Sequence, residues 1–521
     1  MERNPADSLV AARNGLRLAF KAGRWEDVLR FWEAVQDAGQ ARLRAQFERE
    51  DKIATLGQTR GLSALAAWAA GQQGDLPRAV EILESGRAQL LREAQERQRR
   101  DLHALAGGEY DALYQAYRAA ARQVDDLYAL PYARRPADWG QQLAAAQGTL
   151  QQATDALRDQ APGFKYFLRP LPFEAIREQA ADAPLVYLAA TDRGGFALVV
   201  PPQTAEAWHI PLPQLTDKSL RERVQGPDDD PAWGGYLGAY LRWRNDPGDE
   251  TARAAWFTAP EETLDWLGKA VMRPLVTALQ EKGLPQGALV RLAPGGWLGL
   301  LPLHAGRWTM DGGRETVDGE APSTVHGQPS TFALDHYTFT YAPSAQALYH
   351  TREDASRPAD SLLAVRYPDP NFQLADQAVA AALDVFPPER TIPLLMEKAT
   401  LGAVRQAFAQ HAVLFFFTHG FADFNQPLNS GLLTADEQRF TLDEILSLRS
   451  QRARLAVLSA CETGVPSDVR NVDEVVSLPS GMMQAGIPGV VGSLWSVAES
   501  STAILMSIFF EEWRTHGLTP P

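Results

Sequence analysis

Cys461 is the only thiol in the chain, and His419 precedes it by 42 residues. A free thiol titrates at about 8.5, so it needs an imidazole or a helix N-terminus beside it to be a thiolate at neutral pH. Such a thiolate attacks a carbonyl carbon, the histidine protonates the leaving amine, and water then releases the acyl group. The tetrahedral oxyanion needs N–H donors, and the amides of Gly420 and Cys461 are the natural pair. Gly420 suits the role because a residue without Cβ lets its backbone come close. Read singly, each residue has a plainer explanation: a lone buried cysteine is commonly a small hydrophobe, and a histidine after a strand is commonly a turn residue. Their sequence contexts join them, since each closes a short apolar run in a turn of small residues.

Those runs are Ala412–Phe417, leading to Thr418-His419-Gly420, and Leu455–Leu458, leading to Ala460-Cys461-Glu462-Thr463-Gly464. Short runs without polar alternation predict strands buried on both faces, as in a parallel sheet covered by helices. Between them, Thr441 with Glu444 three residues on predicts a helix start, and Ile445, Leu446 and Leu448 continue with helical spacing. Strand, helix and strand in that order give parallel neighbours. Open sheets of this kind carry their sites beyond the carboxyl ends of the strands, where both His419 and Cys461 fall.

Further motifs follow in order: Ser430-Gly431-Leu432-Leu433, Leu442-Asp443-Glu444-Ile445, Leu458-Ser459-Ala460-Cys461-Glu462-Thr463-Gly464, Asp473-Glu474-Val475-Val476, Gln484-Ala485-Gly486 and Gly492-Ser493-Leu494-Trp495. With the His-Gly pair they closely resemble the CHAT domain, densely over about residues 360–513 and more sparsely back to about 175. CHAT proteins are caspase-like and separase-like cysteine peptidases, often attached to tetratricopeptide (TPR) helices. Caspase-type signatures place the histidine about fifty residues before the cysteine. The resemblance implies an α/β caspase-like fold, a mostly parallel sheet flanked by helices, with an N-terminal all-α TPR-like domain. It implies a His419–Cys461 dyad cutting a protein substrate, under control of a regulatory protein or ribonucleoprotein, in bacterial defence or programmed cell death. The chemistry requires no metal or organic cofactor.

The same resemblance bears on specificity. In caspase-like enzymes the residue two before the nucleophile lines the P1 pocket, and an acid there favours Arg or Lys. That residue here is Ser459, so a basic preference needs another acid, with Glu462, Asp473 and Glu474 as candidates. The alternatives are that these acids cap turns and helices, and that P1 is neutral or apolar. His304, after Leu301-Pro302-Leu303, corresponds to a structural position without a cysteine to accompany it. Relatives carry Gly-Asp-Pro after the first strand of the final sheet, whereas Leu362–Val365 here runs into Arg366-Tyr367-Pro368. Relatives often continue with another helix after a passage like Leu518-Thr519-Pro520.

At 521 residues, 45% hydrophobic and 22% charged, the chain accommodates two or three domains. The expected division is a helical TPR-like interaction domain over 1–165, a pseudo-protease-like α/β subdomain over 166–355, and the active peptidase subdomain over 356–521. A net charge of −14 argues against nucleic-acid or membrane-surface binding, which needs clustered positive charge. One cysteine excludes an intrachain disulfide, and the opening MERNPADSLV lacks an apolar signal core, so the cytoplasm is the expected compartment. No apolar run approaches the roughly 20 residues of a spanning helix. Ala503–Phe510, soon followed by Glu511 and Glu512, fits a buried helix.

The first 165 residues read as degenerate helical repeats. Glycine turns at Gly23 and Gly74 each separate two amphipathic helices, at an offset of 51 residues where a regular TPR array has 34. Trp25, Trp32 and Trp68 are expected in the core. Arg92, Arg97, Arg99 and Arg100, interleaved with Glu93, Glu96 and Asp101, predict a solvated helix face. Leu185–Ala190 and Phe196–Val200 flank a glycine turn and predict a hairpin. Asp228-Asp229-Asp230 lacks the ligand spacing of a calcium loop and reads as a surface turn. A helix is expected at Leu264–Leu279, a second hairpin from Ala288–Leu292 and Trp297–Leu303, and an exposed loop over 311–330. Ser344 and Thr400 open helices, Val465–Asn471 is a polar loop beside the thiol, Pro479 fits only a first turn, and Pro488–Leu494 predicts a further buried strand. The competing class is a catalytically silent scaffold with the same fold, and a third possibility is acyl transfer by the same thiolate.

Overall fold

The computed structural model describes residues 5–45, 55–97, 102–103, 105–128, 130, 134–202, 206–227, 234–309, 324–325, 328–352, 354–465, 472–474 and 477–517. Arg99, Arg100 and Asp101, the expected turn at Asp228-Asp229-Asp230, most of the loop expected over 311–330, residues 466–471 of the expected polar loop, and Leu518–Pro521 lie outside them. The chain forms two compact units, Met1–Ala175 and Ile176–Pro521.

The first unit is built of helical pairs, as in a TPR-like array. Pro5–Lys21 pairs with Trp25–Ala45, and Leu62–Gln72 with Leu76–Ser85. Gly23 and Gly74 stand at φ +71° and +79°, left-handed conformations that cost a glycine little and end the first helix of each pair. Asp75 then caps the next helix by accepting from the Arg78 N–H at 3.1 Å. Trp32 is buried, Trp25 stands edge-on to Phe20 at 5.6 Å, and Trp68 is half-buried. The expected solvated face at Arg92–Glu96 is corrected: Glu96 is buried outright, because its helix turns that side inward beside buried Leu91 and Gln95.

The second unit holds two five-stranded sheets. The first contains β1 (Leu185–Thr191), β2 (Gly194–Val200), β3 (Trp208–Leu212), β4 (Leu289–Pro294) and β8 (Thr338–Tyr341), in the order β3-β2-β1-β4-β8. The β1–β2 hairpin forms as its sequence predicts, but its turn is Asp192-Arg193 and both glycines belong to β2, with Gly194 opposite Thr191, while β4 runs parallel to both β1 and β8. The expected second hairpin is therefore corrected. Both edges of β4 are taken, and the chain after Pro294 winds into 3-10 turns at Gly296–Leu300 and Leu303–Ala305 that bury Trp297, Leu298, Leu300 and Leu303. Helices Asp217–Gln225, Gly235–Asn245, Glu250–Leu267 and Arg273–Glu281 contribute to one core with this sheet. The helix expected at Leu264 starts earlier, at Glu250, where Asp249 accepts from the N–H groups of Thr251 and Ala252. Between β4 and β8, short β5 (Arg307–Thr309), β6 (Thr324–Val325) and β7 (Gln328–Phe332) pair antiparallel in the order β5-β7-β6.

The second sheet is parallel throughout: β10 (Thr391–Leu395), β9 (Leu362–Arg366), β11 (Val413–Phe417), β15 (Leu455–Ser459) and β16 (Gly489–Val491), in that order. Its two faces explain the unbroken apolar runs. Val413, Phe415 and Phe417 pack with Phe510 and Trp513 of the Glu499–Thr515 helix and with Val379, while Leu414 and Phe416 pack with Val404, Phe408, Ile445 and Met482 on the opposite side. A strand sandwiched this way has no polar face to show. Thr400 and Thr441 cap their helices as expected, and Pro479 lies in the first turn of Leu478–Gln484. Two expectations need correction. The Pro488–Leu494 strand is shorter and only half-buried, since β16 is the sheet's edge, and Ile504, Leu505 and Ile508 of the expected buried helix are exposed because that helix covers the sheet with one face. A separate antiparallel ribbon, β12 (Gly420–Phe421), β13 (Gly431–Leu433) and β14 (Arg439–Thr441), fills the crossover between β11 and β15. Among the described residues no helix is long and apolar enough to cross a membrane.

Candidate active site

Register across three adjacent strands sets the site. Phe417 at the end of β11 pairs with Arg366 of β9 on one side and Ser459 of β15 on the other. The chain leaves all three at the same edge, so Asp369, His419 and Cys461 emerge side by side beyond the carboxyl ends. β16 follows next to β15, with Val491 beside Val457, and delivers Ser493 and Ser496 to the same edge.

His419 Nε2 lies 2.6 Å from Asp369 Oδ2, and the imidazole rests against Phe372 and Tyr367, with ring centroids 4.7 and 5.3 Å away. A carboxylate only accepts, so Nε2 carries the proton and Nδ1 is left as the basic nitrogen of the neutral ring. The histidine side chain is 42% exposed and Asp369 only 14%, which puts the anchor inside and the ring towards solvent. The Asn371 N–H, 2.7 Å from Asp369 Oδ1, holds the Asp369 carboxyl below the usual carboxylate range, and His419 adds to the effect.

Cys461 is half-buried, with Sγ 3.4 Å from Ser496 Oγ. Its turn is tightly laced to the segment after β16. Ser493 Oγ donates to Ala460 O at 2.5 Å, Ser493 N–H to Thr463 Oγ1 at 3.0 Å, Gly464 N–H to Ser493 O at 2.7 Å, and Glu462 N–H to Trp495 O at 3.3 Å. Glu462 itself stands at φ +60°, a left-handed backbone that costs a residue with a Cβ about 1–2 kcal/mol. Gly420 presses on this turn from the His419 side: a Cβ there would overlap the carbonyl oxygen of Cys461 and crowd Thr463 and Ala460. The two turns are thus in backbone contact.

The remaining candidates separate. Ser459, the last residue of β15, is buried, and among the described residues its Oγ has no hydrogen-bond partner. Glu462 is only 5% exposed and its carboxylate is bound by Tyr240 OH, by Arg244 Nε at 2.9 Å and by the Ala422 N–H at 2.7 Å. As a substrate-facing acid it is corrected: its charge is neutralised inside the protein and not offered to a cation. Asp473 accepts from the Gly296 N–H at 2.8 Å, and Glu474 is buried. His304 Nδ1 lies 2.8 Å from Tyr341 OH, within the first sheet's layer. Among the described residues no group of three or more His, Cys, Asp or Glu side chains is placed to hold a metal ion.

Sequence reasoning missed Asp369, Ser496, Tyr240 and Arg244. Asp369 had a faint signal, an acid directly after the Arg366-Tyr367-Pro368 departure at the end of β9. Tyr240 and Arg244 had none, being more than two hundred residues away in the chain.

A parallel sheet covered by helices on both faces, with a histidine and a cysteine on neighbouring strand ends, defines a caspase-like α/β domain, and the chain's first unit is helical. The family model of the CHAT domain matches residues 261–520, and the chain belongs to the CHAT-domain proteins, a caspase-like cysteine peptidase family. No curated protein matches the chain.

Proposed function

We propose that this protein is a cysteine endopeptidase that hydrolyses peptide bonds of a specific protein substrate through His419 and Cys461. The observation that carries the reading is the emergence of Asp369, His419 and Cys461 from three adjacent parallel strands, with Gly420 packed on the Cys461 carbonyl. Nδ1 of His419 takes the thiol proton, and the thiolate attacks the scissile carbonyl. The oxyanion is received by the amides of Gly420 and Cys461. Antiparallel pairs alternate between bonded and non-bonded, and Leu433 N–H donates to His419 O at 2.8 Å, so Gly420 is the non-bonded member and its N–H points away from β13. The imidazolium then protonates the leaving amine, freeing the C-terminal fragment and leaving a thioester. Water attacks the thioester with His419 as base, and a carboxylate and the free thiol result.

Substrate recognition falls to Ser459 at the end of β15, with Asp473 as the candidate acid for a basic P1 residue, Glu474 being buried like Glu462. The helical unit is the docking surface for a regulatory protein or ribonucleoprotein that moves the site between closed and assembled states. The setting is the cytoplasm, in bacterial defence or programmed cell death.

The test is incubation of the full chain with each candidate substrate protein, followed by mapping of new N-termini. Cleavage is expected with the parent chain and lost in Cys461→Ala and His419→Ala. Cleavage that persists in Cys461→Ala removes the assignment. Absence of cleavage throughout favours the silent scaffold, and amide products in place of free carboxylates favour acyl transfer.

A further inference from the structure

Glu462 follows the thiol in sequence, yet its side chain is directed elsewhere. Donors from two distant parts of the chain meet on its buried carboxylate. Tyr240 and Arg244 stand one turn apart on the Gly235–Asn245 helix, which packs in the first sheet's core, and Ala422 lies two residues past Gly420. Arg244 reaches further, donating from Nη2 to Ala422 O at 3.1 Å, so Arg244 and Glu462 together hold both polar groups of Ala422. Tyr240 is in turn fixed among aromatic rings, 4.8 Å from Trp256 and 6.0 Å from Trp243. Burial, and then the Glu462 charge, push its phenol well above the usual value, so it remains a donor at neutral pH.

We propose that Glu462 is a positioning residue for the His419–Cys461 site, and that the seating of the Gly235–Asn245 helix, transmitted through Tyr240 and Arg244, sets the reactivity of Cys461. The proposal rests on Cys461 being the nucleophile. Its physical basis is the left-handed backbone at Glu462, which persists only where surrounding contacts hold it. Removing a donor leaves a buried carboxylate under-satisfied. The turn then relaxes, carrying both Sγ and the Cys461 N–H out of line with Gly420. The same network ties the nucleophile turn to the Ala422 loop, so the two halves of the site move as one. A partner that shifts the Gly235–Asn245 helix controls the thiol without touching it.

Because Cys461 is the sole thiol, its alkylation in the full-length protein is read directly from the intact mass. The probes are iodoacetamide and a peptidyl acyloxymethyl ketone, from about pH 5 to about pH 9. Tyr240→Phe and Glu462→Gln are each expected to slow the peptidyl probe about tenfold and to move the pH profile of iodoacetamide alkylation, with the urea midpoint of unfolding little changed. The double variant is expected to lose no more than the larger single one, since groups in one network are not additive. A Tyr240→Phe rate and pH profile within about twofold of the parent would overturn the proposal, as would fully additive losses. If Tyr240→Phe does not fold, Arg244→Lys replaces it with the same expected and overturning results. His419→Ala keeps the dyad separate: an unmoved pH profile in that variant defeats the dyad, whereas an unmoved Tyr240→Phe defeats only the coupling.

Discussion

Asp369 decides which nitrogen of His419 is basic. With Nε2–H donating to the carboxylate at 2.6 Å, Nδ1 is free to accept the thiol proton, and the ring is held in one orientation between Phe372 and Tyr367. Asp369→Ala removes the acceptor and releases the ring. Cleavage is expected to fall by about a hundredfold in kcat with little change in KM, within the usual worth of a positioned acid–base group. Asp369→Asn keeps an amide oxygen for Nε2–H but loses the charge that stabilises the imidazolium, and a loss of about tenfold is expected. Steady-state kinetics on the mapped substrate checks both, and equal losses in KM would show a binding role instead. At this scale the sequence displayed the dyad because each member closes an apolar run with a glycine nearby. Asp369 follows its strand through Tyr367-Pro368, a stretch with no pattern of its own, and only the register of β9 against β11 brings it to His419.

The contact between the two turns belongs to the elements. β11 and β15 run in register, so the His419 and Cys461 turns must share one narrow edge, and Gly420 is what lets them close. In Gly420→Ala the new methyl group meets backbone, which cannot rotate out of the way as a side chain can. The expected cost is about 1–3 kcal/mol of stability, as for overpacked cores, with slower alkylation of Cys461. Urea unfolding and the alkylation rate check it, and a variant with parent values in both would show that the turns do not need this closeness. The strands of the second sheet were legible because burial on two faces writes itself as unbroken apolar sequence. The first sheet was read less well. Trp297–Leu303 has the composition of a strand, but its large side chains turn inward on 3-10 spacing, and only the pairing of β4 with β1 and β8 shows that no edge was left for a hairpin.

For the whole molecule, the two units should lose stability differently as pH falls. Hydrogen bonds first, and charge second, hold Asp155 of the first unit and Asp369 of the second below the usual carboxylate range. Asp111, accepting from Gly107 N–H, and Asp182, paired with Arg291, are shifted the same way in their respective units. A carboxyl whose folded pKa is lowered stabilises the fold above its ordinary pKa of about 4, and that contribution is lost as pH falls through the lowered value. Both units therefore weaken below about pH 4. The second unit also carries His304, half-buried against Tyr341, and His209 of β3, and burial lowers the pKa of both. There the unfolded chain takes up a proton at about pH 6.5 while the folded one still resists, so stability begins to fall below about pH 7 and continues down to the lowered folded value. Among the described residues the groups shifted downward in the first unit are carboxylates, so it should hold through that interval. Segment-resolved hydrogen exchange, expressed as protection relative to the intrinsic rate at each pH, checks the order. Protection is expected to fall first in the first sheet of the second unit between about pH 7 and pH 5, and His304→Asn should reduce that early stage, with His209 carrying the rest, while leaving the later acid loss in both units. Earlier loss in the helical unit would mean that its stability depends on groups other than these carboxylates.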